Sequence, residues 1–378
     1  MQLFLQNLIF LVNIILTSTF FRAILYKCHH ALLMTSGELL TDLCSGLPIN
    51  ALFWRVGMEE KMNLFDAIIQ AILQGLTEFL PVSSSGHISL YQHFTGNSGE
   101  GALMFSAVLH LGTLVAVFIA FRSDILALLK ELGNMIADIF KRRFTLKDMN
   151  PERRMIVMII LSCFCLAPFA LFKDWFESVG EDSSILAEGL CFLYTSVILF
   201  MSDRCEKGRK EEGDITVKDS VTVGFFQGVA LLPGVSRSGS TISAGLFSGF
   251  TRETSVKYSF ILGIPVILAS CLLEVVKFIK TSMETNVAEQ KVSIVNCIVG
   301  FIVAAAVGLG AIKLVKWLVK SDKFKVFAYY TLGLGCVVLI ISFIELCMGH
   351  PIQFWSYKYE KAWMIRYSGF LQYLFNGS

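Results

Sequence analysis

The stretch Gln74-Gly-Leu-Thr-Glu-Phe-Leu-Pro-Val-Ser-Ser-Ser-Gly86 decides the fold class of this chain, because a second stretch, Gln227-Gly-Val-Ala-Leu-Leu-Pro-Gly-Val-Ser-Arg-Ser-Gly239, repeats its pattern. Laid over each other without a gap, at an offset of 153 residues, the two share Gln, Gly, Val, Ser, Ser and Gly. Each is a polar interruption of hydrophobic sequence. In lipid, a backbone broken by Pro and Gly persists only where it is buried in protein or lines a polar cavity. The duplicated interruption therefore predicts one shared site to which both copies contribute.

The overall composition is that of a membrane protein. Of the 378 residues, 54% are hydrophobic and 16% are charged, and the mean hydropathy is +0.64, which excludes a soluble globular domain. A helix needs about 17 to 25 apolar residues to cross a bilayer. Six stretches meet this requirement: 102–121, 155–172, 185–201, 258–276, 294–312 and 326–347. We therefore predict an all-α integral membrane protein with six transmembrane helices, and the net charge of +2 gives no reason to expect a nucleic-acid partner.

The distribution of Lys and Arg predicts the topology. These residues are concentrated in the connections 122–154, 204–218 and 313–325, and such connections stay in the cytoplasm. The acidic connection 173–184 and the mixed connection 277–291 then face outward. This assignment is consistent only if the segments 64–94 and 221–250 each enter and leave the membrane on the same side. We therefore predict that both are re-entrant helical hairpins.

The two halves of the chain form an inverted-topology repeat in this interpretation. Each half has one hairpin and three crossings, and because three is odd, the second half is inverted relative to the first. The similarity extends beyond the motifs, since Phe105-Ser106 matches Tyr258-Ser259 at the same offset. The predicted organisation is an N-terminal extension, a first repeat, a second repeat and an interfacial C-terminal tail, at 1–61, 62–201, 202–347 and 348–378. The extension is either translated from an upstream start codon or an extra helix without a catalytic role.

The first hairpin carries a polar stripe that ends in a carboxylate. Asp66, Gln70, Gln74 and Glu78 recur every four residues in apolar sequence, which places them on one helical face. A carboxylate at membrane depth is costly unless it is paired, and it is a functional candidate by default. Glu78 is thus the strongest single candidate. The alternative is a glutamate that is merely satisfied by neighbouring hydroxyl groups.

The residues after the stripe add a nucleophile and an acid or base. Pro81 ends the first helix, and we expect His87 to open a second short helix for which Ser83, Ser84 and Ser85 are N-cap candidates. A hydroxyl, an imidazole and a carboxylate within ten residues can supply the nucleophile and its proton partner. A serine-rich cap with a satisfied histidine is the alternative interpretation.

The second hairpin carries the features of a phosphate site. Pro233-Gly234 breaks the helix, and Ser236, Arg237, Ser238 and Thr241 place a guanidinium group among hydroxyls at the start of the next one. Arg237 could instead be the structural partner of Glu78. Gln227 matches Gln74, and we expect both to line the pocket. Two other polar residues in the predicted spans, His110 and Glu274, are interpreted as packing or interface residues.

The two motifs resemble those of the undecaprenyl-diphosphate phosphatases, also called bacitracin-resistance proteins. The first family motif is Glu or Gln, three residues, Glu, and then Pro-Val-Ser-Ser-Ser/Thr-Gly-His, which this chain matches from Gln74 to His87. The second is Pro-Gly-x-Ser-Arg-Ser-x-x-Thr, matched from Pro233 to Thr241. The resemblance covers about residues 62–347. Gln74 departs from the Glu of many members.

The resemblance implies an activity, a cofactor and a location. The activity is hydrolysis of a C55 polyprenyl diphosphate to the monophosphate in the bacterial plasma membrane, with the active site facing outward. This reaction recycles the lipid carrier for cell-wall synthesis and confers bacitracin resistance. The resemblance also implies a divalent metal ion, Mg²⁺ or Ca²⁺, held by Glu78 with Gln74. Membrane lipids are expected partners, and a homodimer is a further possibility.

The predicted mechanism assigns each motif a part of the reaction. Arg237 with Ser236, Ser238 and Thr241 holds the diphosphate, while Ser83 and Ser85 contribute hydroxyls beside Ser84. Either Ser84 or His87 attacks the phosphorus, and we favour Ser84 with His87 as its proton partner. The rival hypothesis is a polyprenyl-phosphate flippase or secondary transporter, since inverted repeats with broken helices are typical of transporters. A channel is a weaker third hypothesis.

Overall fold

The computed structural model describes residues 63–95, 102–145, 149–172, 184–285, 293–321 and 323–352. The predicted N-terminal extension, most of the outward acidic connection and nearly all of the C-terminal tail lie outside these ranges. The described residues form twelve α-helices and one 3₁₀ turn. The helices are α1 Leu64–Thr77, α2 Ser84–Thr95, α3 Ala102–Ala120, α4 Arg122–Phe140, α5 Pro151–Phe164, α6 Ala167–Ala170, α7 Leu186–Asp203, α8 Val217–Val229, α9 Arg237–Phe247, α10 Arg252–Thr285, α11 Ile294–Lys320 and α12 Lys325–Met348.

The first motif is a helix, a break and a second helix, as predicted. Asn63 caps α1 by accepting a hydrogen bond from the Asp66 amide at 2.7 Å. The second helix begins at Ser84 and not at His87 as we expected. The reason is local: the Ser83 hydroxyl accepts from the Gly86 amide at 3.1 Å, which makes Ser83 the N-cap.

The second motif has the same form. A reciprocal pair of hydrogen bonds between Thr216 and Asp219 starts α8. The break contains Gly234 with a φ of 94°, a left-handed conformation that favours glycine. The Ser236 hydroxyl then accepts from the Gly239 amide at 3.0 Å and caps α9.

Four helices of the described part are long and apolar enough to cross a membrane: Leu186–Asp203, Arg252–Lys277, Ile294–Lys320 and Lys325–Met348. They correspond to four of the six predicted spans. A fifth predicted span lies in α3, which continues into α4 through a bend of 89°. The described part is therefore all-helical, and the chain is a multi-pass membrane protein.

The predicted span 155–172 is not one continuous helix. Helix α5 ends at Phe164, and the four-residue α6 follows after a turn. Pro168 lies four residues after Phe164, and a proline ring clashes with the carbonyl group at that spacing. The proline thus explains why the apolar pattern overestimated the helix length.

The connection 122–154 was predicted only as a cytoplasmic loop, yet it contains α4. This helix buries Ile125 and Met135 and leaves apolar side chains such as Leu129 exposed. Arg153 at the start of α5 pairs with Glu131 of α4 at 2.7 Å.

An apolar cluster joins the first break to the helix that follows the second break. Phe79 and Val82 from the first break share one buried cluster with Ile242 of α9 and Val315 of α11. Helix α11 approaches α3 very closely, since a Cβ atom at Gly112 would lie 2.6 Å from the Phe301 carbonyl oxygen. The first break thus shares one apolar core with the helix that follows the second break.

Candidate active site

Glu78 is the centre of the site and lies directly after α1. Its side chain is buried, at 8% exposure. Arg237 donates to Oε1 at 2.5 Å, while Gln74 Nε2 and Ser84 Oγ donate to Oε2 at 3.0 and 2.9 Å. A buried carboxylate requires a cation and hydrogen-bond donors to offset its desolvation. Glu78 and Arg237 therefore form an ion pair, as the structural interpretation of Arg237 predicted. The same carboxylate also accepts from the Ser84 hydroxyl, as a catalytic role of Glu78 requires.

The two motifs contact each other through both breaks. The Ser85 hydroxyl accepts from the Gly234 amide at 3.1 Å, and the Ser238 hydroxyl donates to the Leu80 carbonyl at 3.0 Å. These bonds join residues about 150 positions apart in sequence. They place Ser84, at the start of α2, beside the guanidinium that opens α9.

Two further hydroxyls of the second motif, those of Ser236 and Thr241, already have protein partners. Ser236 caps its own helix, and Thr241 bonds the Arg237 carbonyl at 2.9 Å and the Ser259 hydroxyl at 2.6 Å. Ser236, Ser238 and Thr241 are each 1% exposed. In this arrangement they fix the start of α9, which carries Arg237. Their contact with substrate stays a prediction.

Gln227 is placed differently from its counterpart in the repeat. It is 1% exposed, and within the described residues neither its Nε2 nor its Oε1 has a hydrogen-bond partner. Gln74 instead bonds Glu78. The two glutamines thus match in sequence but differ in their contacts.

His87 lies beside the site with both ring nitrogens engaged. Nδ1 is 2.6 Å from the Ser83 carbonyl oxygen, and Nε2 is 2.8 Å from the Tyr330 hydroxyl. Because a carbonyl oxygen only accepts, Nδ1 carries the proton and Nε2 accepts from Tyr330. The imidazole also stacks on the Tyr330 ring. His87 therefore anchors the start of α2 to α12, and Ser84 has Glu78 as its proton partner in this structure.

A cavity of about 360 Å³ opens beside Glu78. Most of the residues that line it have polar side chains: Gln70, Gln74, Ser84, Ser85, Ser89, Gln92, Ser106, His110, Glu188 and Glu274. A compact polar cavity of this kind suits an anionic headgroup with many oxygen atoms.

Several residues of the site were missed by sequence reasoning. His110 Nε2 lies 4.0 Å from Glu78 Oε2, and Glu274 Oε2 lies 3.9 Å from His110 Nδ1. Our interpretation of both as packing residues did not anticipate that they line the cavity. Glu188 accepts from Ser89 at 2.6 Å. The four-residue spacing of Ser106 and His110 was the signal available for this face of α3.

The predicted metal site does not have a suitable donor set. Both oxygens of Glu78 are committed to Arg237, Gln74 and Ser84, and Gln74 contributes its amide nitrogen to that contact. Among the described residues, no group of three or more His, Cys, Asp or Glu side chains could hold a metal ion. We therefore assign no ion to Glu78 and Gln74.

Comparisons with known proteins agree on one family. The family model described as bacitracin resistance protein BacA matches residues 67–337. An undecaprenyl-diphosphatase of Alkaliphilus metalliredigens is 36% identical over 284 residues, which is 75% of this chain and 100% of the relative. One from Carboxydothermus hydrogenoformans is 38% identical over 282 residues, covering 74% and 98%. Another from Methanosphaera stadtmanae is 34% identical over 290 residues, covering 75% and 99%.

Proposed function

The chain belongs to the family of the bacitracin resistance protein BacA, and on this premise we propose that it is an undecaprenyl-diphosphatase. It hydrolyses undecaprenyl diphosphate to undecaprenyl phosphate and inorganic phosphate, which recycles the lipid carrier for peptidoglycan synthesis. The observation that carries the proposal is the contact of Ser84 with the Glu78 carboxylate, opposite Arg237 and in the wall of a polar cavity.

We propose the inverted-repeat architecture as the frame of this site. Helices α1 and α2 have 14 and 12 residues, which at about 1.5 Å per residue is roughly 20 Å. This is less than the ~30 Å thickness of the hydrocarbon core. Helices α8 and α9 are equally short. Short helices of this kind fit two re-entrant hairpins whose breaks meet inside the bundle, with the cavity open to the outer side.

The reaction begins with Ser84 in this proposal. Its Oγ attacks the terminal phosphorus, its proton passes to Glu78 Oε2, and undecaprenyl phosphate leaves as the bond to its bridging oxygen breaks. Arg237 offsets the charge on the transferred phosphoryl group, which is most of what phosphoryl transfer requires. Water then hydrolyses the phosphoserine and releases inorganic phosphate.

Ser84 is a better nucleophile in this geometry than His87. The serine donates its proton to a carboxylate at 2.9 Å, while the two nitrogens of His87 are bonded to Ser83 and Tyr330. We also propose that a divalent cation accompanies the diphosphate, and no step above passes through it.

The test is phosphate release from a long-chain polyprenyl diphosphate by detergent-solubilised protein. We expect Glu78→Ala, Ser84→Ala and Arg237→Ala each to reduce turnover by at least about 100-fold. A matched control is His350→Gln, because His350 is exposed at the end of α12. A flippase or transporter would release no phosphate. The enzyme hypothesis is contradicted if the wild-type protein releases no phosphate at any concentration of Mg²⁺ or Ca²⁺. An acid-stable phosphoenzyme supports serine, whereas an acid-labile one supports histidine.

A further inference from the structure

A second imidazole, that of His110 in α3, faces the Glu78 carboxylate. Its Nδ1 is 3.0 Å from the Ser106 carbonyl oxygen. Since a carbonyl oxygen only accepts, Nδ1 carries the proton in the neutral ring, and Nε2 carries the lone pair. Nε2 is the nitrogen that faces Glu78, at 4.0 Å from Oε2.

Ser84 and His110 approach the same carboxylate oxygen. Ser84 Oγ donates to Glu78 Oε2 at 2.9 Å, and both Ser84 and His110 line the cavity. The separation of 4.0 Å between Nε2 and Oε2 exceeds a hydrogen bond, so the lone pair of Nε2 is not committed to Glu78. A water molecule in the cavity can reach this nitrogen while it attacks a phosphoryl group on Ser84.

A second carboxyl group, that of Glu274 in α10, lies near the other ring nitrogen of His110. Its Oε1 accepts from the Ser106 hydroxyl at 3.3 Å, and its Oε2 lies 3.9 Å from His110 Nδ1. Oε2 is buried and has no hydrogen-bond partner among the described residues. The charged groups that face His110 are thus Glu78 and Glu274, with Arg237 and Lys277 beyond them.

We propose that His110 is the base that activates the hydrolytic water, and that Glu274 is its positioning residue. The inference rests on the proposed function. Water attacks the phosphorus of phospho-Ser84 and gives one proton to His110 Nε2, while the bond from phosphorus to Ser84 Oγ breaks. Ser84 regains its proton from Glu78, and hydrogen phosphate leaves. His110 then returns its proton to solvent.

The experiment uses full-length protein and a polyprenyl diphosphate that is radiolabelled in its terminal phosphate. General base catalysis is typically worth at least about 100-fold, so we expect His110→Ala to lower kcat by that factor and to lower KM with it, since phosphorylation of Ser84 and therefore kcat/KM are unchanged. The slow step is then hydrolysis of the phosphoserine. Acid-stable label therefore accumulates on Ser84, up to one phosphate per protein molecule. Added imidazole restores turnover, because it replaces the missing base in the cavity.

Three comparisons make the test decisive. His350→Ala is the matched control, and it retains wild-type turnover. The double variant Ser84→Ala, His110→Ala takes up no label. The proposal is overturned if His110→Ala turns over like His350→Ala, if it slows without accumulating label, or if imidazole has no effect on it. A wild-type protein that releases no phosphate contradicts the proposed function itself, which is a distinguishable result. Glu274→Gln is expected to slow the same step and to be insensitive to imidazole.

Discussion

Among single residues, Gly263 of α10 is the one that makes the Glu78–Arg237 pair sterically feasible. A Cβ atom at Gly263 would lie 2.2 Å from Arg237 Nη1. The guanidinium therefore lies against bare helix backbone while it donates to Glu78. A lysine could not replace Arg237 here, because its ammonium group has the same charge but lacks the planar shape of the guanidinium.

Substitution of Gly263 tests this placement. We expect Gly263→Ala to lower kcat about 100-fold, because a shift of about 1 Å in a catalytic group has an effect of that size. The protein should remain folded in size-exclusion chromatography. Gly310→Ala is the control, since a Cβ there has no atom within 4 Å. Equal activities of the two variants would mean that Arg237 is not required in its present position.

At the scale of the helices, single residues determine where a helix begins or ends, and glycines determine how closely two helices pack. Pro168 divides an apolar stretch that was predicted to be one span, and Ser83 starts α2 three residues earlier than we expected. Helix α3 packs closely against α11 because Gly112 has no side chain. The Phe301 carbonyl oxygen of α11 occupies the space that a side chain at position 112 would need. Because α3 carries His110, this contact also determines where the imidazole lies.

The α3–α11 contact predicts a stability change. Gly112→Ala should destabilise the folded protein by roughly 1 to 3 kcal/mol, which is the usual cost of overpacking. Thermal unfolding in detergent measures this as a lower Tm. Gly333→Ala in α12 is the matched control, because a Cβ there meets no atom within 4 Å and alanine favours a helix. A Tm for Gly112→Ala at or above that of Gly333→Ala would contradict the close approach.

At the scale of the whole molecule, ion pairs link two of the connections that were predicted to be cytoplasmic, 122–154 and 204–218. Lys257 near the start of α10 contacts Asp124 at 2.8 Å and Glu212 at 2.6 Å. Asp124 belongs to the connection 122–154 and Glu212 to the connection 204–218. Contacts of one lysine with both connections support their location on the same face of the membrane.

This topology predicts which positions react with a membrane-impermeant thiol reagent. In a chain without its native cysteines, Asn63→Cys and His350→Cys should be labelled in intact cells. Arg143→Cys and Glu206→Cys should be labelled only after the cells are permeabilised. Asn63, Arg143, Glu206 and His350 are all exposed. Labelling of Asn63→Cys and Arg143→Cys from the same side would contradict an odd number of crossings between them.

The sequence by itself determined the class of the protein and most of its central residues. Long continuous apolar runs require a helical membrane protein, because a single segment that crosses lipid must satisfy its own backbone groups within a helix. The duplicated motif identified Glu78, Ser84 and Arg237 as candidates, and Pro81 and Gly234 marked the breaks, since these effects act within a few residues. The predicted division into two repeats and a tail stays a prediction.

Only the tertiary structure decided the partners of these residues. Glu78 and Arg237 are 159 positions apart, and no local pattern states which hydroxyl, imidazole or carboxylate joins them. Proximity along the chain favoured His87, yet packing of α12 engages it with Tyr330, and packing of α3 and α10 places His110 and Glu274 at the cavity. The physical reason is that helix formation is a local property, whereas the surroundings of a side chain depend on which helices pack together.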